Sequence, residues 1–146
     1  MKDISRSAIV EHKARQLYDL VENIEDYPRF LPWCLEARVL GRTPGETLAS
    51  LTVGVAGIRQ SFTTRNANRP GEAIGLELVE GPFKRFSAAW QFTPLGEAAC
   101  RIDFTLQYEF SSKTLRRLLE PLFERIADTM VDAFAKRSDE VYGNKR

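Results

Sequence analysis

The chain has 146 residues, of which 43% are hydrophobic and 28% are charged, and its formal net charge is +1. This length and composition are typical of one globular domain, and a near-neutral total argues against binding nucleic acid through bulk positive charge. The single histidine excludes metal centres that need several histidines. We therefore expect one domain over residues 1–146, without a metal site.

The N-terminus and the cysteines indicate a cytoplasmic protein. The first residues contain no apolar stretch like that of a signal peptide, and no apolar run is long enough to span a membrane. Cys34 and Cys100 lie far apart and in no CxxC motif. We expect both thiols to be reduced, as is usual in the cytoplasm.

Regular elements are predicted along the whole chain. The first part contains a strand over 3–10 and a helix over 13–23. Pro28 and Pro32 prevent one regular helix across 24–34, leaving room for one short helical turn between them. Turn residues then separate six further strands, near 35–43, 46–55, 58–68, 73–80, 84–93 and 98–110. Their short connections predict an antiparallel meander.

One face of this sheet is expected to be apolar. Alternate positions of the strand 98–110 carry Cys100, Ile102, Phe104, Leu106, Tyr108 and Phe110, with polar side chains between them. The strand 84–93 places Phe86, Ala88, Trp90 and Phe92 on one face in the same way. A sheet with a single apolar face must be covered on that side.

The C-terminal segment provides the cover. Apolar residues recur at helical spacing from Leu115 to Val141. Pro121 predicts a short helix to about Glu120, followed by a longer helix with Pro121 in its first turn. Together these elements predict an α+β fold, in which a curved antiparallel sheet of about seven strands wraps around a long C-terminal helix.

Signals for catalysis are weak. His12 lies between a strand and a helix, where a surface or capping role is expected. Glu77, Asp103 and Glu109 fall on the predicted outer face of the sheet. The sequence contains no phosphate-binding loop, dinucleotide-binding motif, zinc-protease motif or nucleophile elbow. We therefore expect a protein without catalytic residues.

The aromatic residues, nine Phe, four Tyr and two Trp, allow two interpretations. They either form a filled core or line a cavity for a flat or elongated apolar ligand, and periodicity does not distinguish the two. The proline-stiffened loop 27–34 fits a gate at a cavity mouth, a contact with a membrane or partner, or a core plug. The turn 80–85 presents Phe83 beside Lys84 and Arg85, which suits phosphates or solvent.

Five segments of the chain, in order, resemble one known family. They are Ser5-Arg6-Ser7, the Tyr-Pro-x-Phe-Leu-Pro-Trp-Cys segment 27–34, Gly-Ile-Arg-Gln-Ser-Phe-Thr-Thr-Arg at 57–65, Glu-Gly-Pro-Phe-Lys-Arg at 80–85, and Ile-Ala-x-x-Met-Val-Asp-Ala-Phe at 126–134. They are similar to the RatA-type toxin and coenzyme Q-binding protein family of the START-like, polyketide cyclase/dehydrase superfamily. This resemblance implies the helix-grip fold, with an apolar tunnel between sheet and C-terminal helix.

The resemblance also implies two functions. Coenzyme Q-binding members hold ubiquinone and support respiration or quinone biosynthesis without turnover, whereas the RatA branch binds the large ribosomal subunit and blocks its association with the small one. The candidate ligand-binding residues combine a loop at the tunnel entrance with inward positions of the sheet and helix. They are Tyr27, Phe30, Leu31, Trp33, Val53, Val55, Phe62, Leu76, Leu78, Phe83, Trp90, Phe92, Phe104, Leu106, Ile126 and Met130.

The leading hypothesis is non-enzymatic binding of ubiquinone, or a related polyprenyl quinone or lipid, by a cytoplasmic protein with peripheral contact at the inner membrane. The alternative is a toxin directed at the large ribosomal subunit. Its candidate phosphate contacts are Arg59, Arg65, Lys84, Arg85, Arg116 and Arg117. A third hypothesis, an aromatase or cyclase, lacks an acid–base pair.

Overall fold

The computed structural model describes residues 1–143, so residues 144–146 of the predicted domain lie outside the described part. Strand β1 (Lys2–Val10) leads into helix α1 (Ala14–Glu22) and a short 3-10 helix (Ile24–Arg29). Six strands follow: β2 (Cys34–Thr43), β3 (Glu46–Val55), β4 (Ile58–Arg69), β5 (Ala73–Glu80), β6 (Phe83–Pro94) and β7 (Cys100–Phe110). Helix α2 (Lys113–Tyr142) ends the described chain.

The strands form one antiparallel sheet in the order β1-β7-β6-β5-β4-β3-β2. Strands β2 to β7 follow the predicted meander, whereas β1 joins the far end of the chain, with Lys2 opposite Tyr108 and Val10 opposite Cys100. Ile4 and Val10 are buried, so β1 extends the apolar face of the sheet. The α+β fold, with a curved seven-stranded sheet and a long C-terminal helix, is confirmed.

Helix α2 is continuous, so the predicted break at Pro121 is wrong. Proline has no N–H, and the carbonyl of Arg117 therefore loses its partner within the helix. Pro121 is exposed, where water can solvate that carbonyl. Leu119 and Leu122, on either side, are buried and hold both halves of the helix on the sheet.

The short helical turn lies before Pro32 but not between the two prolines, which corrects its predicted position. The 3-10 helix ends at Arg29 and includes Pro28. A residue that precedes proline is biased towards extended backbone. Leu31 precedes Pro32, which disfavours a turn that extends to Leu31, although Tyr27 adopts the 3-10 conformation before Pro28.

Aromatic side chains fill the space between α2 and the sheet at two places. Near the start of α2, the ring of Phe123 lies 5.1 Å from Phe83 and 5.7 Å from Phe110. Further along α2, the ring centre of Phe134 lies 5.2 Å from that of Trp90. Edge-to-face contacts of this kind add to the free energy gained by removing the rings from water.

His12 is fully buried, so the expectation of a surface or capping role is wrong. Its Nε2 lies 2.7 Å from Oδ1 of Asp139 near the end of α2. The hydroxyl of Tyr142 donates to the carbonyl of Gln16 at 3.0 Å. The last turns of α2 therefore cover the connection between β1 and α1, a contact between distant segments that local sequence patterns do not encode.

We expect Asp139→Ala to destabilise the fold by about 1–3 kcal/mol, because it leaves the buried His12 ring without this hydrogen bond. Urea unfolding followed by tryptophan fluorescence measures the loss. The matched control is Asp132→Ala, an exposed position of the same helix, where a change within about 0.5 kcal/mol is expected. Equal losses in the two variants would contradict this account of His12.

Candidate functional site

A small cavity lies between the sheet and α2. Helix α2 packs against β1, β7 and α1, and strands β3 to β7 contribute residues to the cavity wall. Its volume is about 70 Å³. The wall consists of Ile24, Tyr27, Trp33, Ala49, Leu51, Phe62, Thr64, Asn66, Leu76, Phe86, Ala88, Trp90, Phe104, Leu106, Phe123, Ile126 and Met130. The aromatic side chains thus fill most of the interior and surround a remaining space.

The structure brings part of the predicted set together at this wall. The predicted residues on the wall are Tyr27, Trp33, Phe62, Leu76, Trp90, Phe104, Leu106, Ile126 and Met130. The other predicted residues lie off it: Leu31 and Val53 are fully buried, Phe83 belongs to the cluster around Phe123, and Phe92 packs on Tyr18 at 6.0 Å. Phe30 packs on Phe134, while Val55 and Leu78 are half-buried elsewhere in the sheet.

Several wall residues were missing from the predicted set. They are Ile24, Ala49, Leu51, Thr64, Asn66, Phe86, Ala88 and Phe123. Thr64 and Asn66 share the inward register of β4 with Phe62, so the two-residue period of a strand was a signal that pointed to them. They were missed because the prediction looked for apolar lining residues only.

The polar groups of the wall are few and mostly engaged. The hydroxyl of Tyr27 donates to the carbonyl of Val21, and burial raises the pKa of Tyr27 far above its usual value, so it stays neutral. The indole N–H of Trp33 donates to Oγ1 of Thr129 at 3.2 Å. Among the wall residues described, none carries a carboxylate, an imidazole or an amine. The wall therefore offers no pair for general acid–base catalysis.

Polarity increases towards α1. A second cavity of about 20 Å³ adjoins the first, and the two share the wall residues Ile24, Tyr27, Asn66, Leu76 and Trp90. Thr47, on the wall of this second cavity, accepts a hydrogen bond from Nδ2 of Asn68 at 2.9 Å. The hydroxyl of Thr47 is 3.4 Å from Oε1 of Glu22. One end of the cavity system is therefore polar and the other apolar.

The loop 27–34 is docked on α2, with its apolar side chains turned inwards. Leu31 and Trp33 are buried, and the ring of Phe30 lies 5.1 Å from Phe134. The guanidinium of Arg137 lies 5.2 Å from the ring centre of Phe30 and pairs with Asp26 at 3.2 Å. Of the three predicted roles, the core plug describes this arrangement, and the plug forms one side of the cavity.

Neither cysteine is arranged as a nucleophile. Cys34 and Cys100 are free and buried, and burial raises the pKa of each thiol to about 11. Both are therefore protonated at neutral pH, and the thiolate is the reactive form. Within residues 1–143, no group of three or more His, Cys, Asp or Glu side chains is arranged to hold a metal ion.

No helix within residues 1–143 has the length and apolar character required to cross a membrane.

Comparisons with known proteins agree with the fold and the predicted family. The family model described as "Polyketide cyclase / dehydrase and lipid transport" matches residues 10–135. The ribosome association toxin RatA of Escherichia coli K12 is 44% identical over 97% of this chain and 90% of its own length. The mitochondrial coenzyme Q-binding protein COQ10 homolog B of Xenopus laevis is 28% identical over 98% of this chain and 60% of its own length.

Solved structures of the same fold include enzymes. The aromatase/cyclase Zhui of Streptomyces sp. R1128 superposes with a TM-score of 0.84, at 18% identity, over 94% of this chain and 93% of its own. At that identity the likeness shows the fold alone. The predicted resemblance to RatA-type toxins and coenzyme Q-binding proteins is confirmed. The chain therefore belongs to the polyketide cyclase/dehydrase and lipid transport family.

Proposed function

We propose that this chain binds an apolar, lipid-like ligand in the cavity between the sheet and α2, without changing it chemically. The observation that carries the proposal is the wall itself, which is apolar and aromatic and holds no acid–base pair among its described residues. Sites for small apolar ligands have this composition. The similarity to a coenzyme Q-binding protein supports ubiquinone, or a related polyprenyl quinone, as the ligand.

A quinone ring requires the cavity to expand. The present volume of about 70 Å³ is well below the ~300–1,000 Å³ of sites that enclose drug-sized ligands. Part of the wall is half-buried and reaches the surface: Tyr27, Leu51, Leu76, Phe86 and Met130. Displacing these side chains outwards enlarges the cavity while the buried floor stays in place, and the flexible thioether of Met130 suits such a movement.

A quinone ligand also favours a location. Polyprenyl quinones are apolar and partition into bilayers, so we place the protein in the cytoplasm with peripheral contact at the inner membrane. The proposed contact is the outer side of loop 27–34. Its exposed residues Pro28, Arg29 and Pro32 lie beside the wall residues Tyr27 and Trp33.

Filling the cavity should weaken ligand binding and leave the fold intact. Ala88→Leu places extra methyl and methylene groups in the space, and we expect it to weaken binding of a ubiquinone with two isoprene units by at least about tenfold. Quenching of Trp90 and Trp33 fluorescence measures the dissociation constant. The matched control, Ala67→Leu, adds the same groups at an exposed position of β4 and should bind as the unmodified chain does. Equal affinities of the two variants would contradict the cavity as the site.

The ligand itself should accompany the protein during purification. We expect organic extraction of native protein from a quinone-producing host to release a quinone that mass spectrometry identifies. Extraction of the Ala88→Leu protein, prepared in parallel, should release much less. Absence of any lipid, together with no quinone binding in titration, would overturn the proposed function.

Association with the large ribosomal subunit is the second candidate function. It is favoured by the higher identity to the ribosome association toxin, 44% against 28% for the coenzyme Q-binding protein. Of the predicted phosphate contacts, Arg65, Lys84 and Arg116 form ion pairs with carboxylates. Arg59, Arg85 and Arg117 form no ion pair with a carboxylate within residues 1–143. Arg117 and Lys113 line a groove at the start of α2.

Co-sedimentation with purified large subunits tests this candidate. Contacts with phosphates weaken steeply as salt rises. We therefore expect pelleting at low salt, a loss at high salt, and a several-fold loss in the double variant Lys113→Gln, Arg117→Gln. The control Lys136→Gln removes an exposed charge from the other end of α2 and should pellet normally. No pelleting of the unmodified chain at low salt would reject ribosome association.

A further inference from the structure

We propose that the side-chain amide of Asn66 is the polar anchor of the cavity, and that it donates a hydrogen bond to a carbonyl or ether oxygen of the bound ligand. The inference deepens the proposed function and rests on it. It adds to an apolar ligand the requirement for a hydrogen-bond acceptor at one end.

Asn66 is placed for this role by burial and by its hydrogen bonding. Its side chain is on the cavity wall and only 5% of the residue is exposed. Its Oδ1 accepts a hydrogen bond from the hydroxyl of Thr64 at 2.8 Å. Within residues 1–143 its Nδ2 makes no hydrogen bond, and this atom keeps a small accessible surface, as expected for a group that faces the cavity. The amide N–H groups are therefore placed to donate to an acceptor on a ligand that occupies the cavity.

Three other donors of the wall are already engaged, whereas the indole N–H of Trp90 makes no hydrogen bond within residues 1–143. The Tyr27 hydroxyl donates to a backbone carbonyl, the Trp33 indole to Thr129, and the Thr64 hydroxyl to Asn66 itself. Each of these side chains has a single polar hydrogen to donate. The amide of Asn66, with two polar hydrogens, and the indole of Trp90, with one, are therefore the donors that the wall leaves for a ligand.

The strand also sets the direction of the ligand. Phe62, Thr64 and Asn66 follow one another along the inward side of β4, so the wall changes from aromatic to polar over a few residues. Asn66 lies where the larger cavity meets the smaller, polar one. The oxygenated end of the ligand lies at Asn66, and its hydrocarbon part lies along Phe62 and Phe123.

The amide donor selects a class of ligand. A quinone ring carries carbonyl and ether oxygens, which accept hydrogen bonds, whereas a hydrocarbon of the same length carries none. A ligand that covers this donor without accepting a hydrogen bond leaves it buried and unpaired, so the site discriminates against that ligand. Asn66 therefore favours an oxygenated ring over a bare isoprenoid chain.

Two ligands and two variants test the inference. The probes are ubiquinone with two isoprene units and 2,6-dimethyl-2,6-octadiene, a matched hydrocarbon without the ring, and tryptophan fluorescence reports binding of each. Asn66→Leu keeps the size of the side chain and removes the amide. We expect it to raise the dissociation constant of the quinone by about tenfold and to leave that of the hydrocarbon unchanged or lower. The control Leu76→Met changes the same wall without its polar group and should preserve the ratio of the two constants.

Each outcome decides a different point. If the unmodified chain binds neither probe, the proposed function fails and the inference fails with it. Suppose instead that the unmodified chain binds the quinone. If Asn66→Leu then binds the quinone equally well, or loses affinity for both probes equally, ligand binding stands and the role of Asn66 is wrong. If Asn66→Leu does not fold, Thr64→Val makes the same comparison, because it removes the hydroxyl that orients the amide. We expect it to weaken binding of the quinone by about threefold and to leave binding of the hydrocarbon unchanged. An unchanged ratio of the two dissociation constants overturns the inference.

Discussion

The packing of α2 on the apolar face of the sheet is the contact on which the rest of the structure depends. Phe123 and Phe134 insert into aromatic neighbours at two points along the helix. Because α2 lies close to β1 and β7, the opposite half of the sheet curves over a space that the side chains do not completely fill. The same contact thus stabilises the fold and creates the cavity.

Most of the fold could be predicted because its information is local. Turn residues separate the strands of the meander, and the alternation in β7 identifies its buried face. What the sequence could not predict depends on distant contacts. The pairing of β1 with β7 and the hydrogen bond between His12 and Asp139 join the two ends of the chain. The continuity of α2 through Pro121 depends on Leu119 and Leu122 being held on the sheet.

The candidate site was harder to predict, because a wall residue and a core residue look alike in the sequence. Phe62 and Phe83 are both buried aromatic residues, yet only Phe62 lines the cavity. The irregular register between Phe83 and Arg85, opposite β7, is not visible in the pattern of hydrophobic residues. Asn66 was missed for the opposite reason, since a polar residue does not fit a search for an apolar wall. The proposed ligand cavity and the proposed ribosome contacts involve different residues of the chain.

The most direct test of the account is a titration of isotopically labelled protein with ubiquinone carrying two isoprene units, followed by heteronuclear NMR. The account predicts that shifts concentrate on wall residues of β4, β6 and α2, that the indole signals of Trp33 and Trp90 move, and that the side-chain amide of Asn66 moves with them. Shifts confined to exposed residues, or no shifts at all, would contradict the claim that the space between the sheet and α2 receives the ligand.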